Sequence, residues 1–142
     1  MGCHMVVDSS RTAAALFTDL ASEDQEVLIA AFLDSRNTLL SKKEIFRGTI
    51  DSSFARPREI LRAALFYNAA KLVVAHNHPS GFPQPSQEDV EFTVRLKWAT
   101  SIVGIPLLDH LIICSRVIYF SFADAKLLGQ GHPQFGCKND VP

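Results

Sequence analysis

Residues 73–90, VVAHNHPSGFPQPSQEDV, constrain the fold more than any other part of the chain, because they join an apolar strand, a turn and a helix start. Side chains two residues apart in a strand point to the same side, so His76 and His78 extend from one face of the strand end. The next residues include four that break strands and helices, namely Pro79, Gly81, Pro83 and Pro85. Ser86 then begins a periodic segment, so the sequence predicts a strand end that faces the start of a helix.

The side chains on either side of this turn are of the types that bind zinc. His76, His78 and Asp89 supply two imidazoles and one carboxylate, and three such ligands leave the fourth tetrahedral position of a catalytic zinc site for water. Ser86-x-x-Asp89 also fits a capping box, in which both side chains accept hydrogen bonds from backbone amides at the helix start. We favour the metal site, because the histidine pair, the turn and the Ser-x-x-Asp coincide in one short segment, and a capping role for Ser86 is compatible with it.

Several motifs in this chain resemble the RadC family, whose members carry a JAMM (MPN) domain of the zinc metalloprotease superfamily. The superfamily pattern is His-x-His, seven residues, Ser, two residues, Asp, and residues 76–89 match it. Narrower motifs occur in family order, namely Arg47-Gly48-Thr49, Pro57-Arg58-Glu59, His76-Asn77-His78-Pro79-Ser80-Gly81 and Leu107-Leu108-Asp109-His110. The resemblance covers about residues 23–122. Longer members of the family carry a further N-terminal helical domain, so we expect either a short member or a single domain of a longer one.

The resemblance implies both a fold and a set of site residues. The implied fold is an α/β domain, a single three-layer α-β-α sandwich with a mixed sheet, of the JAMM and cytidine-deaminase-like type. The implied site holds one Zn²⁺ per chain on His76, His78 and Asp89. In the superfamily a glutamate at the start of the first core strand holds the metal-bound water. Residues 26–34 are similar to that strand, which makes Glu26 the implied general base.

Two assignments around the site stay open at the level of sequence. An acid before a buried strand is ordinarily a solvated surface residue, so Glu26 is chosen from the resemblance and not from its own surroundings. Glu44 lies in a second strand-like segment and is the competing candidate for the base. Asp109 and His110 interrupt an otherwise apolar strand. They either orient a metal ligand from behind or form a satisfied polar pair at a strand end.

The implied reaction is hydrolysis of a peptide or isopeptide amide bond by a metal-bound water. Glu26 would take a proton from the water and pass it to the leaving amine, and Ser86 would donate a hydrogen bond to the developing oxyanion. The paired cysteines of zinc deaminases and the HExxH helix of other metalloproteases are absent from the sequence. The alternative function is a binding or accessory module in DNA repair or mobile-element biology, with a zinc site that is structural or unused.

Composition agrees with one enzyme domain and limits its partners. The chain has 142 residues, of which 47% are hydrophobic, and this suffices for a single core. A formal net charge of −1 disfavours strong binding to nucleic acid or to an acidic membrane. A local group of Arg56, Arg58 and Arg62 leaves weak or indirect nucleic-acid association open. We expect a peptide or protein substrate and no membrane association. A homodimer formed through a hairpin edge also stays open.

The cysteines and the ends of the chain suggest a cytoplasmic protein with one ordered unit. Three cysteines form neither a CxxC site nor a disulfide framework, which favours a reducing compartment. Residues 1–8 are expected to be a disordered start or cloning remnant, residues 9–128 the JAMM domain, and residues 129–142 a mobile tail. The predicted elements are helices over 11–20, 58–70 and 87–103, a hairpin of 27–33 with 38–47, a strand over 72–76, and a hairpin of 107–114 with 117–122. Val90, Val94 and Trp98 are predicted to form the buried stripe of the long helix.

Overall fold

The apolar segment Val27–Leu33 forms an inner strand of the sheet, and all of its residues are buried. The computed structural model describes residues 5–48 and 56–129, so the predictions for residues 1–4 and for the tail from residue 130 lie outside the described residues. In chain order the elements are α1 (Ser10–Ala15), a 3₁₀ helix (Thr18–Ser22), β1 (Val27–Leu33), β2 (Leu39–Arg47), α2 (Pro57–Phe66), β3 (Lys71–Asn77), α3 (Gln87–Val103), β4 (Leu107–Ile113) and β5 (Tyr119–Ser121). No helix among these residues is long and apolar enough to cross a membrane.

The five strands form one mixed sheet in the order β2-β1-β3-β4-β5. Strands β3 and β4 run parallel, with α3 as the crossover, and the other neighbouring strands are antiparallel. A parallel pair needs a long crossover connection, which α3 and its flanking loops provide. The predicted mixed sheet and α/β class are therefore confirmed.

The sheet is covered on both faces, which explains why β1 is continuously apolar. Leu28, Ala30 and Phe32 pack on one face in a cluster that also contains residues of α2 and α3. The alternate residues of β1 pack on the other face with α1 and the 3₁₀ helix. The predicted three-layer arrangement follows from this alternation.

The same alternation determines which way the end of β3 faces. Leu72 and Val74 belong to the cluster under α2 and α3, so His76, two residues further on, points toward the same layer. Asn77 points to the opposite layer. In the parallel β3–β4 pair, Val74 is opposite His110 and His76 is opposite Ile112, which brings the polar residue of β4 beside His76.

Helix α3 has the predicted bounds but a different buried face. Ser86 caps its start, and Gly104 ends it in the left-handed conformation with φ 84°. The predicted stripe is wrong, since Val94 is 38% exposed. The buried residues of α3 are Asp89, Phe92, Thr93, Leu96 and Thr100. Three of these are polar, and a search for an apolar stripe therefore selects the neighbouring face.

Helix α2 and the first helical segment are shorter than predicted. Helix α2 ends at Phe66 because the chain turns at Asn68, whose φ is 53°, before entering β3. Leu65, near the end of this helix, is 61% exposed. The predicted helix over residues 11–20 divides into α1 and the 3₁₀ helix, and β5 is limited to three residues.

Residues Met5 to Val7, which were expected to be part of a disordered start, pair with the turn before β2. Val6 forms an antiparallel bridge with Thr38, and the Val7 amide donates to the carbonyl of Asn37 at 2.9 Å. Val7 is buried and packs with the cluster under α1. The ordered unit therefore begins before residue 9.

Candidate metal centre

His76 is the buried member of the histidine pair and is held by neighbours on two elements. It lies at the end of β3, where its ring Nδ1 is 2.8 Å from Nε2 of His110 on β4. Its other nitrogen, Nε2, points toward the start of α3. Because one nitrogen is engaged behind the ring, the second is the one available to a metal ion.

His78 lies just past β3 and is oriented by the turn that follows. Its backbone amide donates to the carbonyl of Ile113 at 3.1 Å, which prolongs the pairing of β3 with β4 by one residue. Its ring Nδ1 is 2.8 Å from the carbonyl oxygen of Phe82. A carbonyl can only accept, so Nδ1 carries a proton and Nε2 is the nitrogen that faces the site.

Asp89 is fixed by the helix start from which it extends. The Ser86 amide donates to Asp89 Oδ2 at 2.9 Å, and the Asp89 amide donates to Ser86 Oγ at 3.0 Å. These two bonds form the capping box that the sequence allowed. The cap also positions the carboxylate, since it leaves the Asp89 side chain facing the two histidines.

The three predicted ligands converge with spacings that suit a tetrahedral ion. The Nε2 atoms of His76 and His78 are 3.1 Å apart. Asp89 Oδ1 lies 3.2 Å from His76 Nε2, and Oδ2 lies 3.1 Å from His78 Nε2. Ligand atoms bonded to zinc at about 2.0–2.1 Å in a tetrahedron are separated by about 3.3 Å. This group could therefore hold a metal ion without a large rearrangement.

Electrostatics keeps the carboxylate ready to bind a cation. Burial alone would raise the pKa of Asp89, but hydrogen bonds with His76 and His78 outweigh it and hold that pKa well below its usual range. The same bond to Asp89 raises the pKa of His78. An ionised carboxylate between two imidazoles is a donor set that favours a divalent cation, whose charge replaces the protons shared at the site.

An open cleft of about 630 Å³ is lined by one of the three candidate ligands, His78, and by Glu26. Its wall includes Glu26, Gly48, His78 and Ser86. The antiparallel β1–β3 pairing ends at Leu28 and His76, and Glu26 and His78 each lie two residues beyond this last pair. Residues of the same parity on paired strands share a face, so Glu26 lies on the face of the sheet that carries the histidines.

Asn77, between the two histidines, anchors the segment that carries Glu26. Its Oδ1 accepts a hydrogen bond from the Val27 amide at 2.7 Å, and its Nδ2 donates to the Gln25 carbonyl at 2.9 Å. The Glu26 carbonyl in turn accepts from the Gly48 amide at 2.9 Å. The backbone is thus hydrogen-bonded at Glu26 and on both sides of it, which fixes where its carboxylate begins.

Glu44, the competing candidate for the base, is engaged elsewhere. Its Oε1 forms a salt bridge with Arg47 Nη2 at 2.6 Å, and Arg47 also binds Glu23. Glu44 lies on strand β2, where it pairs with Ile29 of β1, and β2 is on the far side of β1 from β3. Glu44 is therefore further from the histidines than Glu26. The geometry favours Glu26 as the acid of the cleft.

Asp109 and His110 are neighbours in β4 but have different roles. Asp109 is buried and accepts hydrogen bonds from Ser121 Oγ at 2.6 Å, the Ala123 amide at 3.0 Å and the His110 amide at 2.8 Å. It holds the chain after β5 against β4, as a satisfied strand residue would. His110 instead contacts the metal-centre residue His76. Burial lowers the pKa of His110 well below its ordinary value, so its ring is a neutral imidazole.

Sequence reasoning missed two residues that support the site. In the sequence, Asn77 is only the middle residue of the histidine motif, and Thr93 belongs to no motif. Thr93 lies one turn after Asp89, with its Oγ1 2.5 Å from His110 Nδ1 and 2.6 Å from the Asp89 carbonyl oxygen. The available signal was its spacing of four residues from Asp89, which places both on one helix face.

The chain has a mixed sheet with two histidines at the end of its central strand β3 and an aspartate at the start of the facing helix α3. These features define an α/β protein with a candidate metal site. The family model described as RadC-like JAB domain matches residues 6–127. The chain therefore belongs to the RadC family, and the predicted resemblance is confirmed.

Curated relatives named UPF0758 protein align over most of the chain. A UPF0758 protein of Clostridium perfringens is 49% identical over 104 residues, which are 73% of this chain and 46% of that protein. A UPF0758 protein of Coxiella burnetii is 44% identical over 113 residues, covering 80% of this chain and 50% of the relative. A UPF0758 protein of Vibrio cholerae is 43% identical over 113 residues, which are 80% of this chain and 72% of that protein. The chain spans about half the length of the first two relatives.

Proposed function

We propose that the protein is a zinc-dependent hydrolase of the JAMM type that cleaves the amide bond of a peptide or isopeptide by attack of water. The observation that carries the proposal is the convergence of His76, His78 and Asp89 beside an open cleft that Glu26 and Ser86 also line. A ligand set, a base and a hydrogen-bond donor around one cleft are the parts that amide hydrolysis needs.

Zinc is proposed because of the donor types and their number. Two imidazoles with one carboxylate form a three-ligand set of the kind found in catalytic zinc sites. When bound, zinc supplies a Lewis acid that polarises a carbonyl and increases the acidity of water. The protein's contribution is to aim both Nε2 atoms and a carboxylate oxygen at one point, with Nδ1 of each histidine engaged behind the ring.

Glu26 is the proposed general base. Glu26 lines the same cleft as His78, which puts a carboxylate at the edge of the site where a substrate carbonyl would lie. It would accept a proton from the attacking water and deliver it to the nitrogen of the leaving amine. The hydrogen bonds at Glu26 and beside it fix the backbone from which its carboxylate extends into the cleft.

Ser86 is the proposed donor to the oxyanion that forms when water adds to the carbonyl. Its oxygen already accepts the Asp89 amide at 3.0 Å, and a hydroxyl that accepts one bond retains its proton for donation. The side chain lies in the wall of the cleft, so that proton can be directed at a bound substrate. Capping and catalysis can therefore use different parts of one hydroxyl.

The alternative function, an accessory module with structural zinc, fits the site less well. Structural zinc sites are closed by four protein ligands, whereas catalytic sites keep one position open. Among the described residues, the group that could hold a metal ion consists of three residues beside an open cleft. The open position favours catalysis, and the charge of the chain gives no separate support for binding nucleic acid.

The test begins with untagged protein and its zinc content. We expect one zinc ion per chain, followed by cleavage of members of a panel of peptide and isopeptide substrates. Glu26→Gln keeps the size and polarity of the side chain but cannot take a proton, so it should retain zinc and lose turnover. Zinc-loaded protein that cleaves no member of the panel, or a Glu26→Gln variant as active as the unchanged chain, would contradict the proposal.

A further inference from the structure

A chain of short hydrogen bonds runs behind the metal centre from α3 through β4 to His76. Thr93 Oγ1 lies 2.6 Å from the Asp89 carbonyl oxygen and 2.5 Å from His110 Nδ1. Nε2 of His110 lies 2.8 Å from His76 Nδ1. All three side chains are buried, and His110 has 0% of its surface exposed. Water therefore does not compete for these bonds.

Only one arrangement of protons places a hydrogen in each of the three contacts of this series of hydrogen bonds. A carbonyl oxygen has no proton, so the contact between Thr93 and the Asp89 carbonyl requires the hydroxyl proton of Thr93. Threonine in a helix commonly makes this bond to the carbonyl four residues earlier. With that proton committed, the contact between Thr93 Oγ1 and His110 Nδ1 requires a proton on His110 Nδ1.

The proton positions on the two histidine rings follow from this assignment. His110 is fully buried against the rings of Phe92 and Phe122, where a charged imidazole would be costly. With its single proton on Nδ1 it has a lone pair at Nε2, so the bond to His76 requires a proton on His76 Nδ1. With Nδ1 engaged in this way, Nε2, which faces His78 and Asp89, is the nitrogen left for a metal ion. The opposite direction would place protons on His110 Nε2 and His76 Nε2, and it would leave two oxygens 2.6 Å apart with no proton between them.

We propose that Thr93 and His110 are positioning residues that hold His76 in its metal-binding tautomer before a metal arrives. This inference rests on the proposed metal site and deepens it. The bond from Thr93 to the Asp89 carbonyl ties the orientation of His76 to the same helix turn that carries the carboxylate ligand. Two of the three ligands are thus set relative to each other from behind the site.

The first experiment uses variants at two threonines of α3. Thr93→Val removes the hydroxyl with little change of shape, and Thr93→Ser keeps it. Thr100→Val is the matched control, because Thr100 is also fully buried and its hydroxyl donates to the Lys97 carbonyl at 2.9 Å, about two turns from Thr93. We expect zinc affinity, measured by chelator competition, to fall about tenfold in Thr93→Val, as with other residues that orient metal ligands. Thr93→Ser and Thr100→Val should stay within about twofold of the unchanged chain. Equal affinity in Thr93→Val and Thr100→Val would overturn the proposal.

The second experiment reads the tautomers directly from imidazole ¹⁵N shifts of the unchanged chain, with and without zinc. We expect His110 to carry its proton on Nδ1 in both states. A His110 protonated on Nε2 without zinc, which would have to change when zinc binds, overturns the proposal even if the variants fail to fold. Failure of the unchanged chain to take up zinc would contradict the proposed function, whereas the His110 tautomer still decides the direction of the chain of hydrogen bonds.

Discussion

The starts of α1 and α3 have the same local structure in different surroundings. At α1, Ser9 Oγ accepts the Thr12 amide at 3.2 Å, and Thr12 Oγ1 accepts the Ser9 amide at 3.0 Å. At α3, Ser86 and Asp89 make the same two bonds at 3.0 and 2.9 Å. Both are capping boxes, so the hydrogen bonding of the helix start does not distinguish a structural segment from a functional one.

The difference lies in the third residue of the box and in what faces it. Thr12 is half-buried and donates to Asp8 at 3.0 Å. Asp89 is buried against His76 and His78 at the end of β3. A carboxylate has a second oxygen beyond the one used for capping, and that oxygen faces His76. The comparison shows that a cap and a metal ligand are compatible, provided that the capping side chain is a carboxylate and a strand end with donors lies opposite.

The largest expected effect comes from Asp89→Thr, which gives α3 the capping box of α1. The backbone bonds of the helix start should survive, because Ser-x-x-Thr forms them at Ser9 and Thr12. Zinc binding should be lost, since the carboxylate ligand is gone. Zinc content after dialysis and a thermal unfolding curve would be measured together. A variant that keeps one tightly held zinc ion would show that Asp89 is a cap and not a ligand.

Next in size is the contrast between Ser86→Ala and Ser9→Ala. Each removes an N-cap hydroxyl and should lower the free energy of unfolding by about 0.5–2 kcal/mol. Only Ser86→Ala should also lower turnover, by about 10²- to 10³-fold, because it removes the proposed oxyanion donor. Turnover under saturating substrate and zinc content are the measurements. If both variants retain full turnover, Ser86 is only a cap.

A smaller effect on turnover is expected from Asn77→Ala, which alters the wall of the cleft opposite the α3 start. The variant removes the bonds to the Val27 amide and the Gln25 carbonyl, so Glu26 loses its fixed position while the three ligands remain. Turnover should fall by up to about 10²-fold with zinc content unchanged, as for a misplaced catalytic group. A loss of stability without any change in turnover would assign Asn77 a structural role alone.

The smallest expected effect comes from the reciprocal change, Thr12→Asp. An acid in the first turn of α1 complements the helix dipole and should change the free energy of unfolding by less than about 1 kcal/mol. No zinc should bind there, because this helix start does not face histidines. Chemical denaturation and zinc titration of Thr12→Asp in the Asp89→Thr background test this. Zinc uptake by that double variant would contradict the claim that the opposing strand end makes the site.

The sequence was sufficient for the features that depend on local pattern. A continuous apolar run predicts β1, and Ser86 with Gly104 predicts the bounds of α3. Histidines at i and i+2 predict that both side chains lie on one face of β3. The convergence of His76, His78 and Asp89 follows from a strand end and a helix start joined by a short turn. These inferences need only backbone geometry and residue type.

The supporting residues depend on tertiary pairing and could not be predicted in the same way. His110 reaches His76 only because β4 pairs parallel to β3, and Asn77 reaches Val27 only because β1 pairs antiparallel to β3. Thr93 belongs to a buried helix face that is largely polar near the site, and an apolar stripe is the wrong signal for such a face. Glu26 likewise could be preferred to Glu44 on its surroundings only when both registers of β1 were known.

The central claim is that β3 and the α3 start together hold one zinc ion, and zinc-edge anomalous diffraction from crystals of the zinc-loaded protein tests it most directly. The account predicts one anomalous peak per chain, about 2.0–2.2 Å from His76 Nε2, His78 Nε2 and an oxygen of Asp89. A peak bound by other residues, or no peak between these three in protein that contains stoichiometric zinc, would contradict it.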